Sequence, residues 1–332
     1  MRREKEEVNL FVPTEGFFYE FAFEVFPQES TPIFLEWDIG TSVVEGYRLH
    51  PALALRTKRP ELKSLSIYVI NEGSNNVTVI NKHTWEAVST IAIGPGPKGI
   101  VISPSGDYVY VANSEGDKIS VINTTTNRVT NTVTLNSGDR PEGIAITPDG
   151  KTLFVANSGS NSVSVIDTGS LRVLVNIEVG SRPVAVEVEP KGKKAFVVNS
   201  HSNEVSVIDI YSQKVTATIK VQASPVAIAI DHQGEFTYVA NLGSNNLSVI
   251  DVATNRVVRT VNVGIRATAI GVDVTGDRIF VVKEGAGEVL SINPTLNLLI
   301  SSARVGLEPR NLVIDIEGEG YTWSIEARTP YL

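Results

Sequence analysis

A short segment recurs along this chain at an almost constant interval. Each copy begins with an aromatic residue, continues with two small or β-branched residues and ends in asparagine, except for the last copy, which ends in Lys283. The copies, typified by Tyr110-Val-Ala-Asn113, are 42, 44, 42, 42 and 42 residues apart, and a second segment typified by Val163-Ser-Val-Ile-Asp167 keeps this step. A fixed period of this length predicts an array of equal supersecondary units that stack on one another.

Within one copy, short apolar runs alternate with turn signals. Residues 143–147 and 152–156 are rich in β-branched and aromatic residues, and Pro148-Asp-Gly150 separates them. Two further runs follow at 163–167 and 172–179, so each copy is expected to supply four antiparallel strands. A glycine recurs at positions 106, 150, 192, 234, 276 and 318, where a tight turn is expected to need a positive φ.

Four short strands at this period are typical of a propeller blade. The first three runs of each copy are nearly all apolar, as expected for strands that lose both faces to neighbouring blades. The fourth run alternates, as in residues 129–135, which is expected for an outer strand with one face in water. The predicted fold is therefore all-β, a seven-bladed β-propeller of four-stranded antiparallel blades.

The two ends of the chain are predicted to share the last blade. The C-terminal copy has room for only two strands, and residues 33–40 match 173–180 in pattern, so N-terminal strands are expected to complete it and remove the open edges. Residues 1–16 are a tail or an extra strand, and residues 17–332 form one domain. The predicted blades lie near 51–93, 97–137, 141–179, 183–221, 225–263, 267–305, and 309–326 together with 20–40.

The recurring Tyr-Val-Ala-Asn tetrapeptide and the Val-Ser-Val-Ile-Asp strand resemble the YVTN family of β-propeller repeats. The resemblance covers about residues 51–326, and it departs from the pattern at Lys283 and at Ala267, where the usual proline is lost. It implies a binding or structural module, often exported or displayed on the cell surface. The compartment stays open, because the chain as given shows no signal peptide.

Composition narrows the classes of function. The formal charge of −8 and the pI of about 5.2 argue against nucleic-acid binding, which usually shows as a basic stripe. No stretch approaches the length of apolar sequence that crosses a membrane, so direct insertion is not expected. The chain has no cysteine, which excludes disulfides and thiolate chemistry. A monomer is expected.

The loops on one face of the predicted ring carry the candidate site. The connection from Thr41 to His50 is longer than its equivalents, and insertions on a rigid scaffold often bind ligands. Cationic residues flank the start of the inner strand in several blades and are expected to surround the channel mouth, where they would favour a carboxylate, a phosphate or an acidic peptide. Ordinary solvated loop charges are the alternative interpretation. The candidate ligand-binding residues are Lys98, Arg140, Arg182, Arg266, Arg310, His50 and His201.

The remaining recurrent polar residues are interpreted structurally. The repeated asparagines, such as Asn157, and the aspartates at 167, 209 and 251 are expected to bond to turns rather than to metal, since no calcium-loop spacing occurs. No cofactor or metal is predicted, and no catalytic motif is found. The leading hypothesis is a non-catalytic module that binds a protein, a glycan or a small anion. A lactonase-like hydrolase or lyase at the channel mouth and a cell-surface structural module are the alternatives.

Overall fold

The structure is a computed structural model. It describes the backbone of four strands in the first 65 residues, and both backbone and side chains over residues 66–82, 84–264, 266–273, 276, 278–296, 298–305, 309, 311, 312 and 314. The chain divides into two compact units, Met1–Leu62 and Lys63–Leu332. We describe each unit by itself.

The N-terminal unit contains two antiparallel hairpins. Strand β1 (Glu7–Phe11) pairs with β2 (Phe18–Ala22), and β3 (Phe34–Glu45) pairs with β4 (Arg48–Arg56). The connection from Thr41 to His50, predicted as a long loop, lies mostly within the second hairpin, because β3 and β4 stay paired almost to the turn. Residues 51–56, predicted as the inner strand of a blade, pair with β3 instead.

The second unit consists of successive antiparallel sheets, one for each sequence repeat, which we number as blades from the N-terminal side. The first blade has three described strands, and five complete blades of four strands follow it. The first blade consists of β5 (Ser66–Asn71), β6 (Asn76–Asn81) and β7 (Ala87–Ala92), and the second of β8 (Pro97–Ile102), β9 (Tyr108–Asn113), β10 (Lys118–Asn123) and β11 (Arg128–Thr134). The third blade consists of β12 (Pro141–Ile146), β13 (Thr152–Asn157), β14 (Ser162–Asp167) and β15 (Arg172–Glu178), and the fourth of β16 (Pro183–Val188), β17 (Lys194–Asn199), β18 (Glu204–Asp209) and β19 (Lys214–Lys220). The fifth blade consists of β20 (Pro225–Ile230), β21 (Phe236–Asn241), β22 (Asn246–Asp251) and β23 (Arg256–Asn262), and the sixth of β24 (Ala267–Val272), β25 (Ile279–Lys283), β26 (Glu288–Asn293) and β27 (Leu298–Arg304).

Each complete blade is an up-and-down meander. Hydrogen bonds link the strands in chain order, with pairs such as Phe154 opposite Val165, and a bulge interrupts the outermost pair between Val165 and Ile166. Short 3₁₀ turns at Glu72–Ser74, Ser114–Gly116 and Glu284–Ala286 join β5 to β6, β9 to β10 and β25 to β26.

The blades pack face to face with their first strands innermost. Strand β12 contacts both β8 and β16, and β20 contacts both β16 and β24. The core lies between blades: Phe154 and Val163 of the third blade share one apolar cluster with Val186 and Val197 of the fourth. These contacts confirm an all-β propeller of four-stranded antiparallel blades, with six blades in the described part of the chain.

Burial and turn geometry follow the sequence predictions. All of Val163–Ile166 is buried, whereas the outer strand Arg128–Thr134 buries only Val133, because no further strand covers it. The recurrent glycine of the first turn has a positive φ, +72° at Gly150, where the pattern required it. None of the helical segments among the described residues is long and apolar enough to span a membrane.

Candidate functional site

Three of the predicted site residues share an unusual backbone conformation. Arg140, Arg182 and Arg266 each precede the inner strand of a blade, and their φ angles are +49°, +52° and +58°. The equivalent positions in two other blades hold Gly96 and Ser224, also at positive φ. This left-handed region costs a branched or long side chain about 1 kcal/mol, and glycine would adopt it freely.

Two backbone hydrogen bonds hold each arginine in place. Its N–H donates to a side-chain oxygen from the preceding blade, with Asp117, Asn161 and Asn245 as the acceptors at 2.7, 2.8 and 3.2 Å. Its carbonyl accepts from the N–H of the residue that follows the repeat asparagine or Lys283 in its own blade. The same pair of bonds forms at Gly96 and Ser224, so this clamp is a structural feature of the repeat and joins neighbouring blades.

The clamp needs only the arginine backbone, which leaves each side chain available. The guanidinium of Arg266 forms an ion pair with Glu284, and Lys98 Nζ lies 2.5 Å from Glu72 Oε1 of the first blade. Arg182 Nη1 lies 3.3 Å from His201 Nε2, which can accept its hydrogen bond. Within the described residues, no ion pair neutralises Arg140 or Arg182, and both side chains are exposed.

The structure thus separates the predicted cations into two groups. Lys98 and Arg266 are neutralised by glutamates, whereas Arg182 and His201 lie together and Arg140 precedes the neighbouring inner strand. The side chains of His50 and Arg310 lie outside the described residues. A role for all seven residues in one site stays a prediction.

Glu187 is a functional candidate that the sequence analysis missed. It lies on the inner strand β16, which borders the central channel of a propeller, and the equivalent positions hold Val101, Ala145, Ala229 and Gly271. Comparing the inner strands position by position would have found it, because it is the charged residue at a position where the other four blades are apolar.

The repeat pattern indicates which residues of the next blade lie nearest to Glu187. A Cβ at the equivalent Gly271 would contact Leu312 and Ile314, and the corresponding positions of the fifth blade hold Ile228 and Ile230, so we expect an apolar surface beside Glu187. The carboxyl keeps partial contact with solvent, yet protein encloses it on nearly every side, and burial raises its pKa from 4.5 to about 7. No hydrogen bond or ion pair to this carboxyl occurs among the described residues.

Glu187 and Arg182 lie toward opposite ends of the inner strand. Four residues lie between them, so their Cα atoms are at most about 16 Å apart along an extended chain. The Glu187 carboxyl and the arginine-bearing loops are therefore two distinct features of the inner strands.

A family comparison agrees with this architecture. The family model described as "Lactonase, 7-bladed beta-propeller" matches residues 60–188 and 166–277, well over half of the chain. The chain belongs to this lactonase family. Membership accounts for the propeller fold, and the YVTN-type repeat assignment stays an expectation.

Two solved structures have a fold similar to that of this lactonase-family propeller. Hydrazine synthase from Kuenenia stuttgartiensis has a TM-score of 0.71 at 21% identity, over 80% of this chain and 93% of that one. A functionally unknown protein from Desulfotomaculum acetoxidans DSM 771 has a TM-score of 0.65 at 18% identity, over 75% and 81%. No curated protein matches the sequence.

The repeat asparagines of this lactonase-family propeller are structural, but not through the predicted turn bonds. Asn157 is fully buried and its Nδ2 donates to Ser164 Oγ at 2.8 Å on the adjacent strand, and the same bond recurs in three other blades. The asparagine therefore ties the second strand to the third. The four Oδ1 atoms have no protein partner, which is typical of a site for ordered water.

The aspartates at the end of the third strand have the predicted turn role. Asp167 Oδ1 accepts from the hydroxyl and the N–H of Ser170, and these bonds hold the pKa of Asp167 below its usual value. Asp209 and Asp251 make the same bonds to Ser212 and Thr254. Among the residues that the structure describes, no three potential metal ligands converge.

Proposed function

We propose that this propeller is a binding module that takes a small anionic ligand, a carboxylate or a phosphate, at its arginine-bearing loops. The observation that supports the proposal is the left-handed arginine. A repeat that accepts glycine at this position carries arginine in three blades, at an energetic cost that the backbone clamp does not require. Backbone strain of this kind concentrates at functional sites.

Charge distribution favours two of the arginines as the ligand contacts. The chain carries a formal charge of −8, so an anion needs a local positive region to bind. Arg140 and Arg182 immediately precede neighbouring inner strands and are not paired with a carboxylate among the described residues, whereas Glu284 neutralises Arg266. A guanidinium without a carboxylate partner can bind an oxyanion through two parallel hydrogen bonds.

Calorimetric titration with citrate and with inorganic phosphate tests this proposal. We expect the double variant R140A/R182A to bind about tenfold or more weakly, because each lost charge-assisted contact contributes about 1.5–3 kcal/mol. The control R128A/R172A removes the same charge from exposed positions at the start of the outer strands of the second and third blades, on the face opposite the arginine-bearing loops. The proposal would be contradicted if both double variants lost the same affinity for citrate and phosphate, or if the native protein bound neither anion.

Hydrolysis of a lactone is the second candidate function, and family membership together with Glu187 favours it. A desolvated carboxyl on an inner strand, with a pKa of about 7, can accept a proton from an attacking water at neutral pH. Turnover of an aliphatic δ-lactone, followed by pH-stat, is expected to fall about a hundredfold or more in Glu187→Gln. Lactone turnover that survives this substitution would exclude Glu187 as the base.

We further propose that a seventh blade, shared by the two chain ends, completes the ring. Ala303 on β27 is exposed, although the equivalent Val133, Ile177, Ile219 and Val261 are buried, so a blade that should cover this face is missing from the described residues. Strands from residues 20–40 and 309–326 are the proposed source. Export to the cell surface, a protein or glycan partner and a monomeric state stay proposals that rest on the repeat resemblance.

A further inference from the structure

The sixth blade replaces the buried asparagine–serine bond of the other blades. Lys283 takes the place of the asparagine, and Leu290 takes the place of the serine. Both partners of one hydrogen bond differ together, so the sixth blade has lost the tie between its second and third strands. Lys283 instead lies close to Glu288 on the third strand.

Lys283 is largely buried and has few partners. Its side chain is 17% exposed, and its Nζ lies 3.6 Å from Glu288 Oε2, whose side chain is 27% exposed. Within the described residues, Nζ makes no hydrogen bond, although an ammonium has three donors and its burial is costly when they are unused. The lysine therefore has donors available for a ligand.

A cavity of about 300 Å³ opens beside this ion pair, between the fifth and sixth blades. Its polar lining comes from Lys283, Glu288, Asn262 and Ser302, and Leu290 and Ile292 form part of an apolar wall. This volume is at the lower end of the range for small-molecule sites. One positive and one negative charge on the wall make the lining neutral overall.

We propose that this cavity binds a free aliphatic α-amino acid. The α-carboxylate of such a ligand accepts from Lys283, its α-ammonium donates to Glu288, and its side chain packs on Leu290 and Ile292. The 3.6 Å between Nζ and Oε2 is short enough for one zwitterion to contact both groups. An anion alone would be repelled by Glu288, and a cation alone by Lys283. The site is independent of Arg140 and Arg182, which do not line it.

Titration with L-leucine, isocaproate and isoamylamine tests this assignment. We expect L-leucine to bind, and the two analogues, each lacking one charged group, to bind at least about tenfold more weakly. K283N/L290S rebuilds the asparagine–serine pair of the other four blades, so it is expected to fold, and we expect it to bind leucine at least about tenfold more weakly. The single variant E288Q should show a similar loss.

The matched control is Glu204→Gln. Glu204 occupies the position of Glu288 in the fourth blade, where it pairs with Lys220 at 2.6 Å. We expect this variant to bind leucine as the native protein does. Leucine binding that is undetectable in the native protein, unchanged in K283N/L290S, or equalled by isocaproate would overturn the proposal.

Discussion

At the residue scale, single positions that break the repeat carry the functional information. Glu187 stands where the other inner strands have apolar residues, and Lys283 stands where the second strand of the other blades ends in asparagine. The arginines stand where glycine would relieve the backbone. Each of these residues is less favourable than its equivalent in another blade. Departures of this kind identify candidates for function, because the fold itself does not need them.

Glu187 also predicts how the stability of the propeller depends on pH. Its pKa rises from 4.5 unfolded to about 7 folded, so its contribution to stability is fully present below about pH 4.5 and is lost as the pH rises through about 7. The shift corresponds to a loss on the order of 3 kcal/mol. In urea unfolding, Glu187→Gln should gain stability relative to the native protein between about pH 5 and pH 8. If the difference in unfolding free energy between Glu187→Gln and the native protein is the same at pH 5 and at pH 8, the Glu187 carboxyl is not desolvated.

At the scale of the element, the inner strands approach one another too closely for most side chains. A Cβ added to Gly143 on β12 would lie 2.7 Å from Ala185 Cα and 2.9 Å from Val184 O on β16. Both are rigid backbone atoms of the next blade, so relief requires the two strands to separate.

We therefore expect Gly143→Ala to destabilise the propeller by about 1–3 kcal/mol, as overpacking of a core does. The control is Gly169→Ala in an exposed turn, where the nearest atom to an added Cβ is Asp167 Oδ1 at 3.6 Å. Thermal unfolding measures both variants. Equal melting temperatures for the two would mean that the blades have room to move apart.

At the scale of the whole molecule, the proposed closure of the ring makes a prediction about stability. The exposed face of β27 and the three-stranded first blade are the places where a further blade would pack. Removing residues 1–40 should lower the melting temperature and produce oligomers, because unpaired strand edges associate. Differential scanning calorimetry and size-exclusion chromatography measure the two effects. A truncated protein that is as stable and monodisperse as the full chain would refute closure by the N-terminus.

The sequence by itself determined the blade, its four strands and its turns. These depend on contiguous residues: the alternation of apolar runs with Pro-Asp-Gly, the glycine that supplies a positive φ, and the aspartates that bond to the turn two or three residues later. The family match and the packing of successive sheets confirm the propeller that this period predicted.

Only the tertiary structure decided which side chains meet. Residues at equivalent positions of neighbouring blades are about one repeat apart in the chain, so their contacts leave no local pattern. The bond from the Arg182 N–H to Asn161 Oδ1 and the ion pair between Lys98 and Glu72 both depend on this packing. The sequence predicted where the cations lie along the chain, but the fold determined which of them are neutralised, because charge compensation acts through space.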